Sequence, residues 1–156
     1  ISSKYSTRQP RRVYRPFIVQ NLIYGLPGDY KVLYFGGKYY TLYRKNRKND
    51  FRASGGGLLY EVPQEENIPL LDFAKKVVRE IDFPIIGMDI GFDGKNYHLI
   101  EFQMIHIGPY ALQRANFYFI WKDNQWERID ERSDLEEEFA RSIYEYIESK
   151  YSNEKL

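Results

Sequence analysis

Cysteine is absent from the 156-residue sequence. The chain can therefore form neither a disulfide framework nor a thiolate metal site. Long apolar stretches are also lacking, since no run approaches the roughly 18 apolar residues that would predict a membrane span. The first residues are polar and basic and do not resemble a signal peptide. These absences predict a cytoplasmic protein with no membrane partner.

A charge imbalance is lacking as well. Lys and Arg number 23 against 22 Asp and Glu, which gives a net charge of +1. This balance provides no global attraction to polyanions and disfavours nucleic acid as a partner, while a homo-oligomer stays open. The length and the 43% hydrophobic content predict one domain with a real core. The 15 Tyr and 10 Phe suit β-strands.

Hairpin signals alternate with two helical patterns along the chain. We predict a basic arm or loop over residues 1–15, a domain over 16–150 and a frayed tail over 151–156. The predicted strands are 16–23, 30–35, 38–44, 58–62, 85–92 and 97–103, with a late hairpin about 123–124 and helices at 69–82 and 135–150. This order predicts an α+β fold, in which two main helices pack on a mostly antiparallel sheet.

The most informative stretch is the hairpin over residues 84–103, because it carries carboxylates inside apolar strands. Asp89 lies in the first strand and Glu101 in the second. A three-residue loop of Gly94, Lys95 and Asn96 would place Asp89 directly opposite Glu101, on one face. Two like charges in that position destabilise a sheet unless something compensates them.

A divalent cation would compensate the two carboxylates, and oxygen ligands suit Mg²⁺. Gln103, two residues beyond Glu101, shares the predicted face and offers a third oxygen. The alternative is a hairpin with two solvated acids. His98 is predicted to lie on the opposite strand face in a structural role, and His106 in a loop that could border a second substrate.

Basic residues precede this hairpin at three places. Lys31 follows Asp29 at the head of a strand, Arg44 ends the partner strand, and Arg52 lies in the glycine-rich loop over residues 44–57. Such a loop can bring backbone N–H groups and cations to phosphate oxygens. The alternative for this basic run is a solvated loop.

Taken in order, these segments resemble the C-terminal half of an ATP-grasp domain, over roughly residues 17–109. The similar branch contains RimK-type glutamate ligases and D-alanine–D-alanine ligases. FIVQNLIYG looks like the family's adenine-reading strand and hinge. DYKVLYFGGKYYTLYRKNRKNDFRASGGG is similar to its D-x-R strand, hairpin, arginine and F-R-x-N loop. GMDIGFDGKNYHLIEFQ resembles its metal segment.

The resemblance implies an ATP-dependent ligase that uses two Mg²⁺ ions. It would activate a small-molecule or peptide carboxylate as an acyl phosphate and join it to an amine or thiol acceptor. The implied residues are Arg44 and Arg52 for catalysis; Gln20, Asn21, Leu22, Ile23, Lys31 and Ile100 for the nucleotide; and Asp89, Glu101 and Gln103 for the metal. These roles are expectations carried over from the family's motifs.

The resemblance further implies that the family's first subdomain should precede residue 17. The chain is therefore expected to represent only the C-terminal portion of a ligase and to be inactive alone. From another functional class, the alternative is a non-catalytic module that binds nucleotide or polyanion through the basic loop over residues 44–52.

Overall fold

The computed structural model of the chain describes residues 19–48 and 58–152, without the side chain of Gln64. Several predictions concern residues beyond these ranges. The basic arm over residues 1–15, the start of the predicted strand over 16–23, Arg52 and the last residues of the tail all lie outside the described residues.

The described residues form seven strands and three helices. In chain order they are β1 (Gly28–Phe35), β2 (Lys38–Lys45), β3 (Leu59–Tyr60), α1 (Gln64–Ile81), β4 (Ile85–Phe92), β5 (Tyr97–Gln103), α2 (Tyr110–Arg114), β6 (Tyr118–Lys122), β7 (Gln125–Ile129) and α3 (Leu135–Tyr151). The strands lie in the order β5-β4-β1-β2-β6-β7, with β3 also paired to β2, and these pairs are antiparallel. The predicted α+β class with a mostly antiparallel sheet is confirmed, and the short helix α2 is an addition to it.

Helix α1 covers one face of the sheet. Strand side chains alternate between faces, so Val32 of β1 and Met88 of β4 point to the same side. They meet Leu70, Leu71 and Ala74 of α1 in a fully buried cluster. The helical spacing of its apolar residues is therefore the reason that α1 lies on this face.

Helices α2 and α3 cover part of the opposite face. Leu33 and Phe35 of β1 pack there with Leu112 of α2 and Phe139 of α3. Arg141 of α3 donates hydrogen bonds to the Phe35 and Gly36 carbonyls, at 2.8 and 3.0 Å. Helix α3 is therefore attached at the C-terminal end of β1, and the N-terminal end of β1 lies away from this attachment.

The predicted strand over residues 16–23 is wrong for its described part. Residues 19–23 form neither helix nor strand, and Val19 and Leu22 are 80% and 56% exposed. Their apolar, β-branched composition favoured a strand, but these residues join no strand ladder, and Gln20 contacts the edge strand β5 through its side chain. A β-prone segment without a paired neighbour remains irregular.

Helix α1 begins at Gln64, whereas the prediction placed its start at Pro69. Asn67 stabilises the added turn, because its Nδ2 donates to the Val62 carbonyl at 3.0 Å and its Oδ1 accepts from Thr41 at 2.7 Å. Pro69 lacks an N–H to donate to the carbonyl four residues earlier, and that residue, Glu65, is exposed to water. In the part of the chain that the structure describes, no helix combines the length and apolar character needed to cross a bilayer.

Candidate functional site

The carboxylate pair of the β4–β5 hairpin has the predicted register, but the loop length that produces this register differs from the prediction. Asp89 is the Cα partner of Glu101. Phe92 pairs with Tyr97, so the loop contains the four residues 93–96 and the predicted three-residue loop is wrong. Asp93 belongs to the turn because its Oδ1 accepts from the backbone N–H groups of residues 95 and 96, at 2.8 and 2.7 Å.

A β-bulge at Ile100 compensates for the longer loop. Ile90 pairs with Leu99, and the register then shifts so that the next pair is Asp89 with Glu101. Without the extra residue, Asp89 would face Ile100. The bulge adds one residue to one strand and so returns Glu101 to the face of Asp89. The freed Ile100 carbonyl accepts a hydrogen bond from Gln20 Nε2 at 3.2 Å.

The bulge also changes the face of His98. His98 pairs with Gly91, two residues from Asp89, and therefore shares the face of the carboxylates. The predicted opposite face is wrong because uninterrupted alternation was assumed between His98 and Glu101. His98 Nε2 lies 2.7 Å from Asp93 Oδ2, so the ring links the start of the turn to β5.

Four charged side chains form a network at the N-terminal end of β1. Asp89 contacts Lys31 Nζ at 2.9 Å through one oxygen and Arg44 Nη2 at 2.7 Å through the other. Arg44 also binds Asp29 with two hydrogen bonds, of 2.6 and 2.9 Å. The network follows from strand pairing, because Lys31 is opposite Asp89 and Asp29 is opposite Arg44.

Burial shapes the electrostatics of this charge network. Burial raises the pKa of Asp29, although the hydrogen bonds and charge of Arg44 oppose that shift. Burial alone would lower the pKa of Arg44, but its hydrogen bonds with Asp29 and the charge of Asp89 raise it overall. Arg44 therefore stays positively charged beside the buried carboxylate of Asp29 and partly offsets the effect of burial on it.

An open cleft of about 1070 Å³ lies beside this network. One side is formed by residues 19–27, which we call the wall segment, and the other by the β4–β5 hairpin. Among the predicted site residues, the cleft lining includes Gln20, Asn21, Leu22, Ile23, Asp89, Ile100 and Glu101. The structure therefore brings the predicted base-binding positions and two of the three predicted metal ligands to one cleft.

The remaining predicted site residues have different relations to the cleft. Lys31 and Arg44 reach it through their contacts with Asp89. Gln103 is outside the lining but donates a hydrogen bond from Nε2 to Glu101. His106 is exposed in the loop after β5 and does not contribute to the lining. Arg52 lies outside the described residues.

Three residues in or next to the cleft were missed from the sequence, namely Leu26, Gly91 and Asn46. Leu26 of the wall segment packs above Gly91, where an added Cβ would lie 2.8 Å from Leu26 Cδ1 and 3.2 Å from Ile100 Cδ1. A glycine inside an apolar strand is a signal of close approach, so Gly91 could have been noticed. Asn46 also contacts the wall segment, and no sequence pattern marked it.

The metal prediction finds suitable donor atoms but a competing arrangement of charges. Asp89 and Glu101 supply carboxylate oxygens on one face, and rotation of the Gln103 amide would add a third oxygen, as Mg²⁺ prefers. Both Asp89 oxygens, however, are held by Lys31 and Arg44. Within residues 19–48 and 58–152, no group of three or more His, Asp or Glu residues could hold a metal ion. A cation at this site would therefore need further ligands beyond those that the described residues bring together, and new partners for Lys31 and Arg44.

No protein-family model, curated protein or solved structure matches this chain. The structure itself shows the α+β class, and the likeness to ATP-grasp enzymes rests on the sequence motifs and their order.

Replacing Arg44 by Ala should destabilise the protein more than breaking an exposed ion pair. The change leaves Asp29 without its partner in the network, and we expect the free energy of unfolding to fall by about 3 kcal/mol. Lys150→Ala, which breaks the exposed pair with Asp82, should cost less than about 1 kcal/mol. Urea denaturation measures both, and equal losses would contradict the proposed role of Arg44 in holding the network.

Asp93 should make the stability of the hairpin depend on pH. The backbone N–H of Asn96, followed by His98 and the N–H of Lys95, lowers the pKa of Asp93 to about 2. Because the folded pKa is below the unfolded value of 3.8, the stabilisation is present above that value and is lost as the pH falls toward 2.

The control for this pH effect is Asp93→Asn, which keeps an oxygen acceptor but does not titrate. Between pH 5 and pH 2, the thermal midpoint of the wild type should fall further than that of the variant. Parallel falls in the two proteins would show that Asp93 does not contribute to the pH dependence.

Proposed function

We propose that the cleft binds ATP together with Mg²⁺, as the C-terminal part of a ligase that joins a carboxylate to an amine or thiol through an acyl phosphate. One observation supports this proposal above all. Segments far apart in the sequence, which the motifs assigned separately to base, phosphate and metal, border or adjoin a single cleft.

The wall segment is suited to a planar base. Leu22, Ile23 and Ile100 supply apolar side chains to the cleft. Residues 21–23 form neither helix nor strand, so their backbone N–H and C=O groups are not committed to a sheet ladder. Such groups can hydrogen-bond the edge of adenine, while the apolar side chains contact its faces.

The charge network is suited to a triphosphate. Lys31 and Arg44 supply two positive charges, which Asp29 and Asp89 neutralise in the free protein. Phosphate oxygens would compete for the same N–H donors, and Arg44 can offer its planar fork to them. Binding of the phosphates would thus exchange one set of anionic partners for another.

This exchange would free Asp89 to act as a metal ligand beside Glu101. Before it occurs, an approaching cation meets Lys31 and Arg44 at the same carboxylate, which is unfavourable. When bound, Mg²⁺ would neutralise charge on the phosphoryl group that is transferred to the carboxylate substrate. Arg44 would add a second positive group near that transfer.

The alternative of a polyanion-binding module depends on the basic loop over residues 44–52. Arg44, the first cation of that loop, binds Asp29 and Asp89 beside the cleft. This position favours a ligand in the cleft over one on the outer surface of the loop. Binding that required no adenine group would favour the polyanion module.

Binding of Mg²⁺·ATP should depend on Glu101 and tolerate a shorter amide at position 103. We expect Glu101→Ala to abolish binding, because it removes both a negative charge and an oxygen ligand. Gln103→Asn should preserve it, because the same type of amide oxygen remains. Isothermal titration calorimetry measures both, and Glu148→Ala on the exposed end of α3 is the matched control.

Loss of binding in both Glu101→Ala and Gln103→Asn would show that Gln103 is not an interchangeable ligand. Equal binding by the wild type and Glu101→Ala would overturn the assigned metal position. A wild-type protein that binds no ATP would overturn the proposed function.

Mg²⁺ and ATP should bind cooperatively. Mg²⁺ titrated without nucleotide should bind at least about tenfold more weakly than in the presence of a non-hydrolysable ATP analogue, a difference of about 1.4 kcal/mol. The reason is that Lys31 and Arg44 occupy Asp89 until phosphates take these cations. Tight binding of Mg²⁺ alone would contradict the exchange of partners.

A further inference from the structure

Hydrogen bonds and apolar packing hold the wall segment to the described part of the fold. Gln20 donates to the Ile100 carbonyl at 3.2 Å, and Leu26 packs against Gly91. Asn46 supplies two further hydrogen bonds, which reach the segment just before β1 begins. A segment without a sheet ladder takes its position from such contacts, so each of them matters.

Asn46 donates hydrogen bonds to the wall segment from both its side-chain amide and its backbone amide. Its side-chain Nδ2 donates to the Leu26 carbonyl at 2.6 Å. Its backbone N–H donates to the Pro27 carbonyl at 3.0 Å. Two consecutive carbonyls of the segment are thus attached to the residue that directly follows β2.

The position of Asn46 relates the wall segment to the charge network. Arg44 lies two residues earlier on the same chain, at the end of β2, and binds Asp29 and Asp89. Two residues at the end of β2 therefore serve the two sides of the cleft. Arg44 is the cation proposed to bind phosphate, and Asn46 holds the wall segment that is proposed to bind the base.

We propose that Asn46 is a positioning residue that sets the distance between the base-binding wall and the phosphate-binding cations. The inference rests on the proposed function, because it assigns those two roles to the two sides. Asn46 acts through the Leu26 and Pro27 carbonyls and does not itself touch the nucleotide. A ligand that spans both sides, such as ATP, depends on this distance, whereas a ligand that contacts only the cations does not.

The test compares Mg²⁺·ATP with Mg²⁺ and inorganic triphosphate, which lacks the adenosine group. Asn46→Ala removes the side-chain donor and leaves the backbone hydrogen bond possible. We expect it to weaken ATP binding about tenfold, as loss of one such hydrogen bond implies, and to leave triphosphate binding unchanged. Asn46→Gln, which keeps an amide donor, should recover part of the ATP affinity. Asn116→Ala, at an exposed loop position, is the matched control.

Hydrogen–deuterium exchange gives a readout that does not need a nucleotide. The reporter is the backbone amide of residue 46, which donates to the Pro27 carbonyl and is still present in Asn46→Ala. This amide should exchange faster in Asn46→Ala than in the wild type, while the amides within β1 and β2 should keep their rates. Gly91→Ala, which displaces Leu26, should also accelerate exchange at residue 46.

The outcomes separate the inference from the proposed function. Equal losses of ATP and triphosphate affinity in Asn46→Ala would indicate general damage and overturn the positioning role. Unchanged ATP affinity, or unchanged exchange at residue 46, would overturn it as well. If the wild type binds neither ligand, the proposed function and the spacing role both fail, whereas the exchange measurement still decides whether Asn46 holds the wall.

Discussion

The bonds of Arg44 to Asp29 and Asp89 are the interaction on which the site depends. They join β2 to β1, which carries Asp29, and to β4, which carries Asp89. Lys31 adds a second positive charge, so that two cations face two carboxylates. Largely buried ion pairs such as these are costly to desolvate and add little net stability compared with apolar packing. Their position beside a cleft therefore favours a functional explanation over a purely structural one.

Uneven covering of the sheet leaves room for that cleft. On one face, α1 packs against the central strands and buries their apolar side chains. On the other, α3 is attached near Phe35, at the far end of β1 from Asp29. The end of the sheet that carries the charges is bordered instead by the wall segment, which packs on the β4–β5 hairpin through Leu26. A cleft with charged groups beside it and apolar side chains along one wall is suited to a charged ligand that carries an apolar group.

The sequence by itself determined those elements whose signals are local. Apolar residues at helical spacing predicted α1 and α3, and the runs before and after the Asp93-Gly94 turn predicted β4 and β5 with the bounds observed. The pairing of Asp89 with Glu101 was also predicted, although the structure differs from the prediction in two ways whose effects on the register cancel. The turn is one residue longer than expected, and the bulge at Ile100 restores the register.

Tertiary structure alone decided the features that depend on distant partners. The bulged Ile100 carbonyl is bound by Gln20, and the wall segment rests on Gly91 and Asn46, so none of these positions can be read from a neighbouring stretch. The apolar residues 19–23 matched a strand, but they join no strand ladder, and Gln20 contacts the edge strand β5 through its side chain. Period-two alternation predicts a side-chain face only where the register is unbroken, and long-range contacts determine where a strand bulges.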